Sequence, residues 1–174
     1  MKRPTITVPA KIDAGVFRRF ALFETFVRQK RWRSPALFAA ILLTAAGVCF
    51  VFGADQRGAG LLGAVLALVA LGLPAAYVVS FLCSVRKQGK RLGLDGARVV
   101  YTLHLNEDGI LTTSEKEQSA LRWEQIFCAY RVEGCIYLYA TPRQAFLLPE
   151  DGQGDAVWTL MTRQLPAEKC VDRR

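Results

Sequence analysis

Residues that commonly carry out catalysis are scarce in this chain. It has a single histidine, His104, and none of its five cysteines belongs to a C-x-x-C pair. There is no G-x-x-x-x-G-K loop to bind phosphate, and the paired acidic residues fall in predicted turns. The sequence therefore lacks a nucleophile with a base beside it, and it lacks a zinc ligand set. We predict that the protein is not an enzyme and that it has no catalytic, cofactor-binding or metal-binding residues.

The remaining candidates for chemistry have simpler interpretations. His104 lies in a predicted strand and has no partner fixed by the sequence, so we interpret it as a residue on one face of a sheet. Trp123 lies between Leu121 and Ile126 and is predicted to be in the core. The cysteines are expected to be reduced thiols, because their number is odd and their spacing fits neither a disulfide framework nor a zinc site.

Charged residues are also missing from two long apolar stretches, 34–54 and 58–85. As helices they would extend about 31 and 42 Å, and the hydrocarbon core of a bilayer is about 30 Å thick. We predict two transmembrane helices over these ranges, an outer turn at 55–57 and a kink at Pro74. Neither stretch contains an acid, a base, Asn or Gln, whereas a proton or ion path normally needs an ionisable group. The predicted hairpin is therefore an anchor.

Basic residues are concentrated at the two ends of this hairpin that are distant from its turn. They are Arg28, Lys30, Arg31, Arg33, Arg86, Lys87, Lys90 and Arg91. The turn has only Arg57, so the positive-inside rule predicts a multi-pass protein of the plasma (inner) membrane with both termini in the cytoplasm. We expect the basic residues to contact anionic lipid head groups.

Two other interpretations of the charge and of the apolar stretches are not favoured. More than thirty residues, many of them polar, precede the first apolar stretch, so we expect that it is not a cleaved signal peptide. Residues 92–174 carry nine basic and twelve acidic side chains, whereas a nucleic-acid-binding domain needs a basic stripe of its own. We therefore expect no nucleic-acid partner.

The segment 1–33 is predicted to contain a strand and an amphipathic helix. The strand is expected at 5–8, and Asp13 is a candidate helix cap. After Asp13, apolar residues recur every three to four positions and basic residues occupy much of the opposite face. Such a helix can lie on anionic lipid, or it can pack against the cytoplasmic domain, and the sequence leaves both alternatives open.

Small residues recur at every fourth position in both apolar stretches, which lets helix backbones approach closely. The predicted packing residues are Ala36, Ala40, Thr44, Ala59, Gly63 and Ala67. Because the connecting turn is so short, we favour packing within the hairpin over dimerisation, with a protein partner or homo-oligomer as the alternative.

After a basic linker at 86–97, the hydrophobic pattern changes to a period of two. Several short strands are predicted, with an Asp-Gly hairpin turn after Asn106 and a last helix at 156–164 capped by Asp155. These elements predict an antiparallel β domain over 98–166, closed by a terminal helix and followed by a tail at 167–174. The predicted fold class is an α+β membrane protein.

This order of elements resembles the YcxB-like family of bacterial membrane proteins. The resemblance is carried by LNEDGI at 105–110, LRWEQI at 121–126, IYLY at 136–139 and FLLP at 146–149. With the preceding strand, helix and hairpin, it extends over nearly the whole chain. It implies a two-span hairpin that carries a cytoplasmic domain of pleckstrin-homology-like shape, and it implies no catalytic residues. One departure is Glu150-Asp151 after Pro149, where the family leads us to expect a basic residue.

These observations support two hypotheses about function. The first is a membrane-tethered, non-enzymatic binding or scaffold module on the cytoplasmic face, whose ligand is a peptide added to a sheet edge or an anionic lipid head group. The alternative is an accessory subunit of a larger membrane complex, such as a transporter or a signalling assembly, that docks through the hairpin. A hydrolase or transferase would depend on His104.

Overall fold

The computed structural model describes residues 5–53, 58–94, 96–114 and 117–174. The chain forms two compact units, of which the first contains Met1–Phe20 and Gly89–Arg174 and the second contains Ala21–Gln88. The predicted outer turn at 55–57 lies outside the described residues.

The second unit consists mainly of two long apolar helices. Helix α2 covers Arg33–Phe52 and helix α3 covers Ala59–Arg91. Both are long and apolar enough to cross a membrane, by length and composition. Helix α3 contains Pro74, and it continues through the basic residues that were predicted to form a linker. The continuation has a physical reason, since Arg, Lys and Gln are good helix formers and cations stabilise a helix C-terminus.

Helix α3 ends in a hydrogen-bonded glycine cap. Gly93 has a φ of +67°, which a glycine adopts without the strain that other residues incur. Its N–H donates to the carbonyl of Lys90, and the N–H of Leu94 donates to the carbonyl of Gly89. These two bonds form a Schellman motif, and Leu94 is buried beside it.

The N-terminal helix α1 spans Ala14–Leu22 and continues as a π-helical segment at Phe23–Arg28. The predicted cap is confirmed, because Asp13 Oδ1 accepts a hydrogen bond of 2.7 Å from the N–H of Val16. In the first unit, the Phe20 ring packs edge-on against Tyr137 at a centroid distance of 5.2 Å. The sequence left open whether this helix lies on lipid or packs against the β domain. At Phe20 it packs against the β domain.

The first unit contains two four-stranded sheets. The first sheet has the order β1 (Ile6–Ile12), β2 (Arg98–Leu105), β3 (Ile110–Ser114) and β4 (Gln118–Leu121), and its neighbours are antiparallel. The second has the order β7 (Gln144–Pro149), β6 (Cys135–Thr141), β5 (Cys128–Val132) and β8 (Cys170–Asp172), and its β5–β8 pair is parallel. Short 3₁₀ helices occur at Trp123–Gln125 and Ala167–Lys169.

The structure differs from the sequence-based expectation in two ways. The predicted antiparallel β domain contains two sheets, and one of them is mixed because part of the expected tail forms β8, which runs parallel to β5. The folded unit also extends beyond 98–166, because β1 pairs with β2 from Ile6–Leu105 to Ile12–Arg98. Strand β1 passes through Pro9, which is tolerated because β1 is the edge strand of its sheet.

The core of the first unit lies between the sheets and under the last helix. Helix α4 covers Gly154–Gln164, and its Val157 and Met161 are buried, as the periodicity predicts. Asp155 lies in the first turn of α4 rather than at its N-cap, which is Gln153. The Asp155 carboxylate instead accepts a hydrogen bond from Arg131, which is a charged donor and a stronger partner than a backbone N–H.

Candidate functional site

The inner face of the first sheet changes from apolar to polar along its length. At one end, Leu105 pairs with Ile110, which also pairs with Leu121, and both Leu105 and Ile110 are fully buried. Thr112 lies two residues after Ile110 on β3, and its side chain is on the same face because side chains alternate along a strand. Its cross-strand partner on β4 is Ser119. The apolar core therefore gives way to hydroxyl groups toward one end of the sheet.

At this polar end the two sheets leave a hollow of about 480 Å³ between them. We name it the hydroxyl hollow and define it by Tyr101, Thr112, Ser114, Glu117, Ser119, Gln125, Thr141, Gln144 and Phe146. The first five belong to the β2–β4 region, and the last three come from β6 and β7. The hollow is thus lined by both sheets of the same folded unit.

Thr112 has the most informative side chain in the hydroxyl hollow. The residue is only 7% exposed, and its Oγ1 has no hydrogen-bond partner among the described residues. Leaving a buried hydroxyl unpaired costs about 1–3 kcal/mol, so native structures rarely keep one without a reason. Thr112 therefore contributes an unused donor and acceptor to the wall of the hollow, and its Oγ1 is buried in that wall.

The walls around Thr112 are held in place by hydrogen bonds of their own. The Tyr101 hydroxyl accepts from the N–H of Leu147 at 2.6 Å and donates to the Leu147 carbonyl at 3.2 Å. Burial raises the pKa of Tyr101, which keeps its hydroxyl protonated. Across the hollow, Thr141 Oγ1 accepts a bond from the N–H of Gln144. Two lining side chains, Tyr101 and Thr141, are therefore fixed by hydrogen bonds to the backbone.

The charge of the hydroxyl hollow does not suit a phosphate group. Apart from the protonated Tyr101, Glu117 is the one ionisable residue among the described lining residues, and no Lys or Arg is among them. Anion sites use arginine, lysine or a helix N-terminus. A cation or a neutral hydrogen-bonding group is favoured here.

A second polar cluster has a structural explanation. The Arg131 side chain is 4% exposed and donates at 2.6 Å both to Glu150 Oε1 and to Asp155 Oδ1. Its guanidinium also lies 5.9 Å from the ring centroid of Trp158. With these partners, Arg131 joins β5 to the end of β7 and to α4. Glu150, the acidic departure noted in the sequence, is therefore the counter-ion of a buried arginine.

The predicted lipid contacts lie at the ends of the long helices but are not equivalent. Arg28 forms an ion pair of 2.6 Å with Glu24, four residues earlier, and its side chain is 14% exposed. Lys30, Arg31 and Arg33 are exposed just before or at the start of α2. The remaining four are exposed on the last turns of α3: Arg86, Lys87, Lys90 and Arg91.

The predicted packing residues differ in how far they are buried. Gly63 is buried, and a Cβ built on it would lie 3.0 Å from the Phe50 ring, so the two helices approach closely there. Ala36, Ala59 and Ala67 are half-buried, whereas Ala40 and Thr44 are exposed. Sequence reasoning missed the buried alanines of the two long helices, which are Ala46 at 3% and Ala70 at 0% exposure.

The residues first considered for chemistry serve the fold. His104 Nδ1 lies 3.0 Å from Thr7 Oγ1, its cross-strand neighbour on β1. Trp123 is buried, and its indole N–H donates to the Asn106 carbonyl at 2.9 Å. Burial raises the pKa of Cys135 to about 12, so this thiol stays protonated. No group of three or more metal-ligating side chains occurs in the part of the chain that the structure describes.

Thr112, Ser119 and Gln144 were not predicted as site residues. The alternation in β3 assigns Thr112 to the same face as Ile110, which is a usable signal for an inward-facing hydroxyl. That its hydroxyl lacks a partner depends on the distance between two sheets, which the sequence does not show.

Comparison with known proteins supports the resemblance over part of the chain. The family model described as "YcxB-like protein" matches residues 105–156. The matched stretch runs from the end of β2 to the start of α4 and does not reach the long helices. No curated protein and no solved structure matches the chain.

Proposed function

Starting from a YcxB-like assignment for residues 105–156, we propose that the protein is a membrane-tethered, non-enzymatic binding or scaffold module on the cytoplasmic face of a bacterial plasma membrane. In this proposal α2 and α3 cross the bilayer as a hairpin, and the two-sheet unit with its terminal helix has a pleckstrin-homology-like shape. The hydroxyl hollow is the binding site of the module.

One observation carries the proposal. Strand β1 precedes the two apolar helices, strand β2 follows them, and the two strands pair along their length. The chain leaves the folded unit after Phe20 and returns to it at Gly89. The folded unit thus has a covalent link to each of the two helices, which keeps it at the membrane surface at all times.

The orientation follows from the distribution of basic residues. Arg31 and Arg33 are exposed at the start of α2, and Arg86 and Lys87 are exposed near the end of α3. The positive-inside rule assigns such ends to the cytoplasm. Because both helices connect to the folded unit at these ends, the unit is on the cytoplasmic side in the same proposal.

The experiment is a crosslinking pull-down of the full chain from native membranes, with variants that separate the two surfaces. Ser119 is an exposed residue of β4 that lines the hydroxyl hollow, so Ser119→Lys places a long side chain in the hollow. Ser119→Ala is the matched control. Leu61→Ala with Leu68→Ala alters the most exposed face of α3, where these leucines are 75% and 72% exposed.

A partner that is lost with Ser119→Lys, and kept with both other variants, supports the tethered binding module. A partner that is lost only with the α3 variant contradicts it and favours an accessory subunit that docks through the hairpin.

A further inference from the structure

We propose that the module binds an extended peptide, which pairs with the outer edge of β4 and inserts a basic side chain into the hydroxyl hollow. This inference rests on the proposed function and names the ligand class of the same site. It depends on three features of the described residues: the free edge of β4, the unpartnered hydroxyl of Thr112, and the charge of Glu117.

Strand β4 is the terminal strand of the first sheet, and its outer edge has no neighbour in the part of the chain that the structure describes. Natural edge strands are usually protected by a very short length, by charged residues or Pro, by a bulge or by a covering segment, and β4 has the first of these features, with four residues. Strand β4 reads Gln-Ser-Ala-Leu without a charge or a proline, its pairing with β3 shows no register shift, and its first three residues are exposed. Its edge is therefore open to another strand.

The hydrogen bonds of the β3–β4 hairpin show which groups of β4 face outward. The N–H of Ser114 donates to the carbonyl of Glu117 at 2.9 Å, which makes this a hydrogen-bonded pair. In an antiparallel ladder such pairs alternate with non-bonded pairs. Gln118 and Ala120 therefore direct their N–H and C=O groups away from β3, and these four groups are what an added strand would bind.

The geometry of a sheet decides which peptide side chains enter the hollow. Every second residue of an added strand faces the same side as Ser119, which lines the hollow. The strand would lie about 4.8 Å beyond β4 and about twice that from β3, which carries Thr112. A side chain must be long to reach Thr112 from there.

Charge and hydrogen-bonding capacity select a basic residue among the long side chains. Lys and Arg are donors with no acceptor, and the unpartnered Thr112 Oγ1 can accept a hydrogen bond. Glu117 adds a negative charge at the rim, with no cation among the described lining residues. Residues 92–174 as a whole carry more acidic than basic side chains, which favours the approach of a basic partner.

The test uses the full chain in nanodiscs of phosphatidylethanolamine and phosphatidylglycerol. The probe is a phage library of random 12-residue peptides, and enriched peptides are synthesised and titrated by fluorescence anisotropy. We expect the enriched peptides to contain Lys or Arg, and we expect Thr112→Val to weaken their binding about fivefold, as the loss of one hydrogen bond would.

The variant pair at position 120 tests the strand pairing. Ala120→Pro removes an outward N–H without removing a ladder bond, and edge strands tolerate such a proline. We expect it to bind about tenfold more weakly than Ala120→Ser, which changes the same side chain but keeps the N–H. Peptides N-methylated at alternate residues test the same pairing on the unchanged protein, and one of the two registers should lose binding.

Three results would overturn the inference: no peptide enriched over empty nanodiscs, equal binding by Ala120→Pro and Ala120→Ser, or enrichment of acidic peptides. Each leaves the pull-down test of the tethered module unaffected. If a partner is lost from the membrane pull-down with Ser119→Lys but Ala120→Pro and Ala120→Ser bind peptides equally, the tethered module is supported and the peptide ligand is rejected.

Discussion

The Tyr101 hydroxyl lies 2.6 Å from the backbone nitrogen and 3.2 Å from the carbonyl oxygen of Leu147. Through these two bonds, β2 of the first sheet satisfies the outer edge of β7 in the second sheet. The Tyr101 ring also packs edge-on against Phe146 at 5.6 Å. This one side chain therefore pairs with one residue of the β7 edge, whereas β4 has no strand neighbour on its outer edge among the described residues.

Tyr101→Phe should destabilise the folded unit. The substitution keeps the ring but leaves both backbone groups of Leu147 without their partner, at a cost of about 2 kcal/mol. Chemical denaturation in detergent, followed by tryptophan fluorescence, measures the free energy of unfolding. Tyr77→Phe is the control, because Tyr77 lies on α3 in the other unit. Equal unfolding curves for Tyr101→Phe and the unchanged chain would contradict the role given to this hydroxyl.

Thr112→Val should stabilise the same unit by about 1 kcal/mol. Valine has nearly the shape of threonine and removes a buried hydroxyl that has no partner. Thr113→Val makes the same chemical change one residue later, on the other face of β3, and controls for strand propensity. If Thr112→Val is the less stable of the two, Oγ1 has a partner in solution and is not an unused binding group.

Stability at low pH should depend on Asp155. Its hydrogen bond with Arg131 holds the pKa of Asp155 below the ordinary value of 3.8 in the folded state. A lowered pKa stabilises the fold above the unfolded pKa, and this stabilisation is lost as the pH falls from about 4 through the folded pKa. Asp155→Asn should therefore flatten the dependence of the unfolding free energy on pH below about 4.

The same substitution in an Arg131→Met background provides the control for that prediction. Without the arginine, Asp155→Asn should change the pH dependence much less, since only the weaker contact of Asp155 with Arg174, at 3.7 Å, remains. A change of the same size in both backgrounds would show that another group is responsible.

The basic residues before α2 should differ in their contribution to lipid binding. Arg31→Gln and Arg33→Gln are each expected to weaken the association of anionic lipid by about 1 kcal/mol. Arg28→Gln should have a smaller effect, because Arg28 is already paired with Glu24. The number of phosphatidylglycerol molecules retained in native mass spectrometry reports this difference. An effect of Arg28→Gln as large as that of Arg33→Gln would show that the ion pair opens at the membrane.

Local patterns predicted the helices well. The two apolar stretches and the cap at Asp13 depend on residues close together in sequence. The structure confirms the cap, and it has helices at Arg33–Phe52 and Ala59–Arg91, where transmembrane helices were predicted at 34–54 and 58–85. Length and hydropathy also indicated that both apolar stretches could cross a membrane. The helices in the structure are long and apolar enough for this.

Features that depend on distant pairing could not be predicted. Strand β2, the partner of β1, comes after both long helices in the sequence. Nothing near Ile6 therefore indicates that it pairs with Leu105. Strand β8 has three residues and is defined only by its neighbour β5. The hydroxyl hollow is likewise lined by residues that are far apart in sequence, such as Tyr101 and Phe146, and these come together only in the folded unit.

The most direct test of the tethered module is the membrane sidedness of two positions in the full chain. Gln56→Cys lies between the predicted spans and Ser119→Cys lies on β4, and each is treated with a membrane-impermeant thiol reagent in whole cells and in inverted vesicles. The unchanged chain, which has five cysteines of its own, provides the background. The account predicts that Gln56→Cys gains label only in whole cells and Ser119→Cys only in inverted vesicles. Labelling of both positions from the same side would contradict it.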